Sequence, residues 1–230
     1  LLTGLQYIEV IPLIHEAESY ETSGASDHMH EAHGHGHGHA DEAWAPDNGL
    51  ERFAVTILTN VVAAIGFGLL LSVSFSILVA RGRVLSWRTG LLWGLAGFGI
   101  FNLAPALGLP PELPGSNAAP LAGRQGWWIM AVLLTALGLG LIAFARPTYI
   151  RALGLVPIAL PHIIGAPTPD HHGGLAPDEI AQRYVYASLI TSGLFWLALG
   201  ALATFMHRRF GGANAPNVLP PYGEATGREN

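Results

Sequence analysis

Long apolar stretches separated by short polar ones form the main pattern of this chain. An α-helix needs about 20 predominantly apolar residues to cross the hydrocarbon core of a bilayer. Stretches of this kind lie at about residues 53–80, 89–107, 127–145 and 184–206. Each of these four stretches therefore predicts a membrane-spanning helix.

Two further apolar stretches are shorter. Residues 1–14 begin inside an apolar run, so we expect a truncated first helix whose N-terminal part precedes the given sequence. Residues 149–164 are interrupted by Arg151, Pro157 and Pro161. A stretch of that length and composition fits a buried half-helix, a re-entrant segment or a kinked span.

The arginine positions decide among these alternatives, because cytoplasmic loops of membrane proteins carry an excess of Lys and Arg. The chain has 11 basic residues, all of them Arg. Seven of them follow the apolar stretches at 53–80, 127–145 and 184–206. These seven are Arg81, Arg83, Arg88, Arg146, Arg151, Arg208 and Arg209. Arg-rich loops alternate with acidic or His-rich ones only if residues 149–164 cross the membrane. We therefore predict an all-α polytopic membrane protein with about six transmembrane helices and both termini cytoplasmic.

This topology divides the chain into four parts. They are the end of the first transmembrane helix (1–14), a His-rich acidic outer loop (15–51), a five-helix membrane domain (52–209) and an irregular cytoplasmic tail (210–230). We expect a lipid bilayer around the chain and no nucleic-acid partner.

Composition excludes several kinds of site. Hydrophobic residues make up 50% of the chain and charged residues 12%, a balance typical of membrane proteins. The absence of cysteine excludes thiolate zinc sites, iron–sulfur clusters and disulfides. The absence of lysine excludes the P-loop of ATPases and a Schiff-base lysine. We therefore expect no enzyme, and any uphill transport must draw on a gradient or a partner.

The predicted outer loop is rich in metal ligands. Its imidazoles are His28, His30, His33, His35, His37 and His39. Nine Asp or Glu and no Lys or Arg accompany them between His15 and Glu51. Neutral imidazole is a ligand shared by Zn, Cu, Ni and Co, and the interleaved glycines let successive rings converge on one ion.

Two simpler interpretations of this loop compete with metal capture. A cloning tag would be a contiguous run near a terminus, whereas these histidines are internal and interrupted by glycine. A low-complexity loop would have no metal role. We favour metal capture or buffering. His171 and His172, which follow Asp170, add ligands on the same predicted side.

Polar residues inside apolar stretches are the candidates for a translocation path, since such residues are costly in a membrane. The candidates are Glu9, His15, Asn60, Asn102 and His162. A structural role would also account for several of them taken alone: Asn102 caps a kink before Pro105, Asn60 bridges two helices, and Glu9 lies at the interface. A shared path beneath the His-rich loop is the functional hypothesis.

Three short motifs carry a resemblance to a known family: Pro-Pro-Glu-Leu-Pro-Gly at 110–115, Gly-Arg-Gln-Gly-Trp-Trp at 123–128, and His-Ile-Ile-Gly-Ala-Pro at 162–167. Together with the His-rich outer loop, they resemble the CbtA family of probable cobalt transporter subunits, over nearly the whole chain to about Arg209. By match, the residues carried over are the loop histidines, Glu112, Arg124, Gln125 and His162. The resemblance implies cobalt uptake across the bacterial inner membrane, with cobalamin-dependent regulation. It also implies a small single-span, His-bearing CbtB-like partner.

The leading functional prediction is a membrane subunit of a divalent transition-metal uptake system, with cobalt as the implied ion. The residues alone leave Co, Ni, Zn and Cu open, because affinity at N/O sites rises from Co²⁺ through Ni²⁺ to Cu²⁺. The alternative is a non-transporting accessory or structural subunit of a larger membrane assembly, with the loop as a metal buffer or docking element. A His-ligated membrane enzyme, for which only His15, His162, His171 and His172 are candidates, is the third hypothesis.

Overall fold

The computed structural model describes residues 1–28, 49–169 and 174–211, with the backbone alone for residues 21–28. This described part is helical and contains no strand, which confirms the predicted all-α fold class. We number its helices α1 to α6. Helix α1 is continuous through Leu2–Leu5, a π-helical turn at Gln6–Val10, and Ile11–His28.

The remaining helices follow in chain order. They are α2 (Leu50–Ala80), α3 (Trp87–Phe98, a π-helical turn at Gly99–Leu103, and Ala104–Ala106), α4 (Leu121–Phe144), α5 (Thr148–Leu153 and Leu155–Ile164) and α6 (Asp178–Phe210). Among the described residues, α2, α3, α4 and α6 are long and apolar enough to cross a membrane, and α5 is a shorter apolar helix. The four long predicted spans are therefore confirmed.

Helix α1 extends further than the apolar pattern predicts. Residues 15–28, which hydropathy assigns to the start of the outer loop, continue the helix. Ala17 explains part of this extension, since it is buried against Leu113 and Ile180 near the start of α6. Tertiary packing thus continues a helix where local hydropathy predicts a loop.

Helix α5 runs antiparallel along α4 from one end of the bundle to the other. Near one end, Nε of Arg151 donates to the carbonyl oxygen of Ile142 at 2.9 Å. Near the other, Nε1 of Trp127 donates to the carbonyl oxygen of Pro161 at 3.2 Å. The interrupted stretch 149–164 therefore has the direction that the arginine alternation requires.

Consecutive antiparallel helices give the bundle two different ends. One end holds the α2–α3 and α4–α5 connections and the last turn of α6, and with them the seven arginines of the predicted inner loops. The opposite end holds the α3–α4 connection, the last turn of α5 and the first turns of α2 and α6. We call these the arginine end and the loop end.

Glycines allow α3 and α6 to approach backbone to backbone. A Cβ on Gly90 would lie 2.7 Å from the carbonyl oxygen of Gly200. A Cβ on Gly94 would collide with the carbonyl oxygen of Trp196, and one on Gly97 would collide with the Trp196 ring. In a bilayer, where apolar surface alone gives helices no reason to associate, such close packing holds them together.

We expect Gly94→Ala to destabilise the bundle, because the backbone oxygen of Trp196 cannot move aside as a flexible side chain would. Overpacking of this kind costs about 1–3 kcal/mol, or a melting temperature lower by roughly 2–10 °C in a chain of this size. Thermal unfolding of the purified protein in detergent measures the shift.

Gly66→Ala on α2 is the matched control, since a Cβ there has no neighbour within 4 Å. It should leave the melting temperature unchanged or raise it, because Ala stabilises a helix interior by up to about 1 kcal/mol over Gly. Equal melting temperatures for the two variants would contradict the packing argument.

Candidate functional site

Two π-helical turns interrupt the membrane helices, and each ends two residues before a proline. The turn at Gln6–Val10 precedes Pro12, and the turn at Gly99–Leu103 precedes Pro105. A proline inside a helix removes one backbone donor and crowds the carbonyl four residues before it, and a wider turn relieves that crowding. Single π turns often occur at functional sites, and these two contain Gln6, Glu9 and Asn102.

A cavity of about 630 Å³ opens at the loop end beside the second π turn. Its wall is formed by the end of α3, the connection to α4, the first turns of α4 and one face of α6. Its polar lining residues are Asn102, Glu112, Arg124, Gln125, Ser188 and Ser192. The structure thus brings Asn102, predicted on the path, together with three motif residues.

An ion pair borders this cavity. Nη2 of Arg124 lies 2.7 Å from Oε2 of Glu112, and the two side chains are 31% and 27% exposed. Arg124 stands in the first turns of α4, and Glu112 is held in the preceding connection beside the buried Leu113. Glu112 has the oxygen ligands that a divalent cation uses, whereas a guanidinium has only donors and can do no more than balance the carboxylate charge.

Asn102 is held in a fixed orientation deeper in the cavity. Its Oδ1 accepts a hydrogen bond of 2.7 Å from Nε1 of Trp196. The Trp196 indole is buried and stacks on Phe101, with the ring centroids 5.6 Å apart and the planes 8° from parallel. The position of the amide is therefore set by rigid aromatic neighbours.

Asn60 belongs to a separate polar contact between α1 and α2. Its Nδ2 donates to Oε1 of Gln6 at 2.7 Å and to Oγ1 of Thr3 at 3.1 Å. Glu9, from the same π turn as Gln6, is exposed on the outer surface of the bundle. The structure therefore does not bring Asn60 and Glu9 to the cavity that Asn102 lines.

His162 lies at the loop end of α5, under Trp127. The two rings meet edge to face with centroids 5.8 Å apart. The Nε2 atom of His162 is buried and has no hydrogen-bond partner among the described residues. Gly108 also packs against this indole, since a Cβ there would collide with the Trp127 ring.

His15 is part of a polar link at the base of the His-rich loop. Its Nδ1 lies 3.1 Å from Oε2 of Glu18, and the other carboxylate oxygen of Glu18 accepts from Nη2 of Arg52 at 2.9 Å. The guanidinium of Arg52 holds the pKa of the Glu18 carboxyl below its ordinary value, because it donates a hydrogen bond to the carboxylate. This link therefore connects α1, which precedes residues 29–48, with α2, which follows them.

The predicted loop ligands lie beyond this geometry. The structure does not describe the side chains of the predicted metal ligands, which are His28, His30, His33, His35, His37, His39, His171 and His172. Within the described part, no group of three or more His, Asp or Glu could hold a metal ion.

Several residues of these sites were missed by sequence reasoning. Ser188 and Ser192 line the cavity four residues apart on α6, a spacing that places them on one helix face and could have identified them. Glu18 was counted only as part of the acidic charge of the loop, and Arg52, one residue beyond that loop, was not singled out. Trp196 gave no signal, since an indole in an apolar stretch is common in membrane helices.

A family model described as "Probable cobalt transporter subunit (CbtA)" matches residues 1–208 of the chain. No curated protein and no solved structure matches.

Arg52→Gln should destabilise the protein in a pH-dependent way. The folded pKa of Glu18 lies below its unfolded value, so the contact is stabilising above about pH 5 and is lost as the pH falls through the folded pKa. A partly exposed pair contributes up to about 1 kcal/mol, so we expect a melting temperature lower by roughly 1–3 °C at pH 7, and a difference from the parent protein that shrinks as the pH falls through the folded pKa of Glu18.

The control is Arg183→Gln, which removes an ion pair to Glu179 whose side chains are 66% and 77% exposed. It should leave the melting temperature unchanged throughout the pH range. A shift for Arg52→Gln that is the same at pH 3 and pH 7 would show that the charge of Glu18 is not its cause.

Proposed function

Since the chain belongs to the CbtA family of probable cobalt transporter subunits, we propose that it is the membrane subunit that captures Co²⁺ outside the cell and receives it in the loop-end cavity. The family assignment supports cobalt transport in general. The ligand loop, the cavity and the direction of transport are the proposal.

The observation that carries it is the composition of the cavity wall. Glu112, Arg124 and Gln125 come from two separate motifs and Asn102 from an interrupted membrane helix, yet all border one space at the loop end. The His-rich segment 29–48 joins α1 to α2 at that same end. The end of α1 and the start of α2, which flank that segment, therefore lie at the same end of the bundle as the cavity.

Each part has a distinct task in this scheme. The acidic residues of the loop raise the local cation concentration, and its imidazoles act as exchanging ligands. In the cavity, Glu112 supplies negative charge, and the amide and hydroxyl oxygens of Asn102, Gln125 and Ser192 replace part of the hydration shell of the ion.

The positive-inside rule supports an orientation with the arginine end in the cytoplasm and the His-rich loop outside the bacterial inner membrane. We include a small single-span, CbtB-like subunit as the partner in this scheme. Co²⁺ selectivity would come from geometry or availability, since N/O ligands alone favour Ni²⁺ and Cu²⁺.

Replacing the six loop histidines (His28, His30, His33, His35, His37 and His39) by Ala should lower Co²⁺ flux into proteoliposomes at micromolar external Co²⁺, with and without the partner subunit. The loss should fade at millimolar Co²⁺, where capture no longer limits flux. In the parent protein, flux at low Co²⁺ should fall as the external pH drops through about 6.5, because imidazole protonation competes with metal binding.

The variant without the six loop histidines is the control for this pH effect and should lose it. Metal bound at the loop with no flux in any arrangement would contradict transport and favour an accessory, metal-buffering subunit.

Single substitutions of the ion pair distinguish a cation site from a structural contact. Glu112→Gln should raise the Co²⁺ concentration for half-maximal flux by about tenfold, the equivalent of about 1.4 kcal/mol, because the cation loses its charged ligand. Arg124→Gln should lower that concentration, because Glu112 no longer has a competing counter-charge. Proteoliposome flux against Co²⁺ concentration measures both.

If the ion pair had only a structural role, both substitutions would change the Co²⁺ concentration for half-maximal flux in the same direction. That result would contradict the role of Glu112 as a ligand. The Glu179→Gln and Arg183→Gln variants of the exposed pair on α6 serve as matched controls and should leave the concentration dependence unchanged.

A further inference from the structure

A second cavity lies at the opposite end of the bundle, between α3 and α4. It measures about 650 Å³ and is lined mostly by apolar side chains. Its lining includes Arg83, Thr89, Ala96, Ile100 and Gly140. None of the functional residues discussed above borders this groove.

The groove exposes a small-residue face of α4 that no packing among the described residues explains. Gly138 is packed tightly, since a Cβ there would lie 2.5 Å from the Ile158 side chain on α5. Gly140 lines the groove, and a Cβ there would meet nothing within 4 Å. The space over Gly140 therefore has room for a group from outside the chain.

The length of the groove and its apolar lining suit an acyl chain. From Thr89 to Ile100 it extends over about 16 Å of α3 at 1.5 Å per residue. A single acyl chain is far thinner than a helix and matches the apolar lining.

The charge at the mouth of the groove indicates the kind of lipid headgroup that would bind there. Arg83, in the connection before α3, is exposed at the arginine end and makes no ion pair with any described residue. No Asp or Glu lines the groove. A guanidinium binds phosphate oxygens through paired donors, and basic residues at a membrane surface attract anionic lipids.

We propose that this groove binds one anionic phospholipid, with an acyl chain over Gly140 and Ala96 and the phosphate on Arg83. The site is separate from the ion-pair cavity, which lies at the other end of the bundle. It anchors the α3–α4 face in the leaflet that meets the arginine end.

The test measures lipid retained by the purified full chain. The protein is reconstituted in bilayers of equal phosphatidylglycerol and phosphatidylcholine, extracted in mild detergent and analysed by native mass spectrometry. We expect about one retained phosphatidylglycerol per chain. Gly140→Leu, which fills the groove, should cut this retention at least fivefold, and Arg83→Gln should remove the preference for phosphatidylglycerol while leaving some retained phosphatidylcholine.

Two matched variants control for general effects. Gly66→Leu places the same side chain at another open glycine, on α2, and Arg81→Gln removes a neighbouring exposed arginine outside the groove. Both should retain lipid as the parent does. Arg83→Gln also tests the site if Gly140→Leu fails to fold.

The proposal is overturned if Gly140→Leu and Arg83→Gln retain phosphatidylglycerol as the parent does, or if the controls lose it equally. It is also overturned if Gly140→Leu leaves lipid unchanged but separates the chain from a second copy or a partner helix, which would identify the groove as a helix contact.

Discussion

The candidate site depends on the close contact between α3 and α6. Gly90, Gly94 and Gly200 bring the two backbones together, and Gly97 leaves the space that the Trp196 ring fills. Once fixed there, the indole stacks on Phe101 and donates to Asn102. The orientation of the cavity amide is therefore set by glycines that lie nearer the opposite end of the helix pair.

Prolines explain where the helices depart from regularity. Irregular backbone is costly in lipid and is tolerated where it is buried in protein or lines a cavity. The π turn before Pro105 lies at the cavity, and its Asn102 points to Trp196. The π turn before Pro12 contains Gln6, which accepts from Asn60 across the α1–α2 contact. In both places a polar side chain is held by a hydrogen bond within a π turn that precedes a proline.

The sequence predicted the helices better than their contacts. Four spans followed from hydropathy, and the direction of α5 followed from the alternation of arginines. Both are set by the bilayer itself and not by contacts between particular residues. The convergence of Glu112, Arg124 and Asn102 could not be predicted from spacing, since it depends on how three elements pack. The extension of α1 was missed because it depends on the burial of Ala17 against distant residues. For the shared path, the structure shows Asn60, Asn102 and His162 in three different surroundings, which hydropathy cannot distinguish.

The distribution of charge bears on how a cation would be driven through this bundle. The chain has no lysine and so no P-loop, yet a membrane potential alone acts strongly on a divalent ion. With the arginine end facing a negative interior, two charges gain about 4.6 kcal/mol per 100 mV, enough for a concentration ratio above about 10³. The arginines at that end repel the ion, and this repulsion limits how tightly it can be held there. In the proposed scheme, acidic capture at the loop end, a single carboxylate with its own counter-charge in the cavity, and a repelling end beyond it would together keep binding weak enough for release, which conduction requires as much as capture.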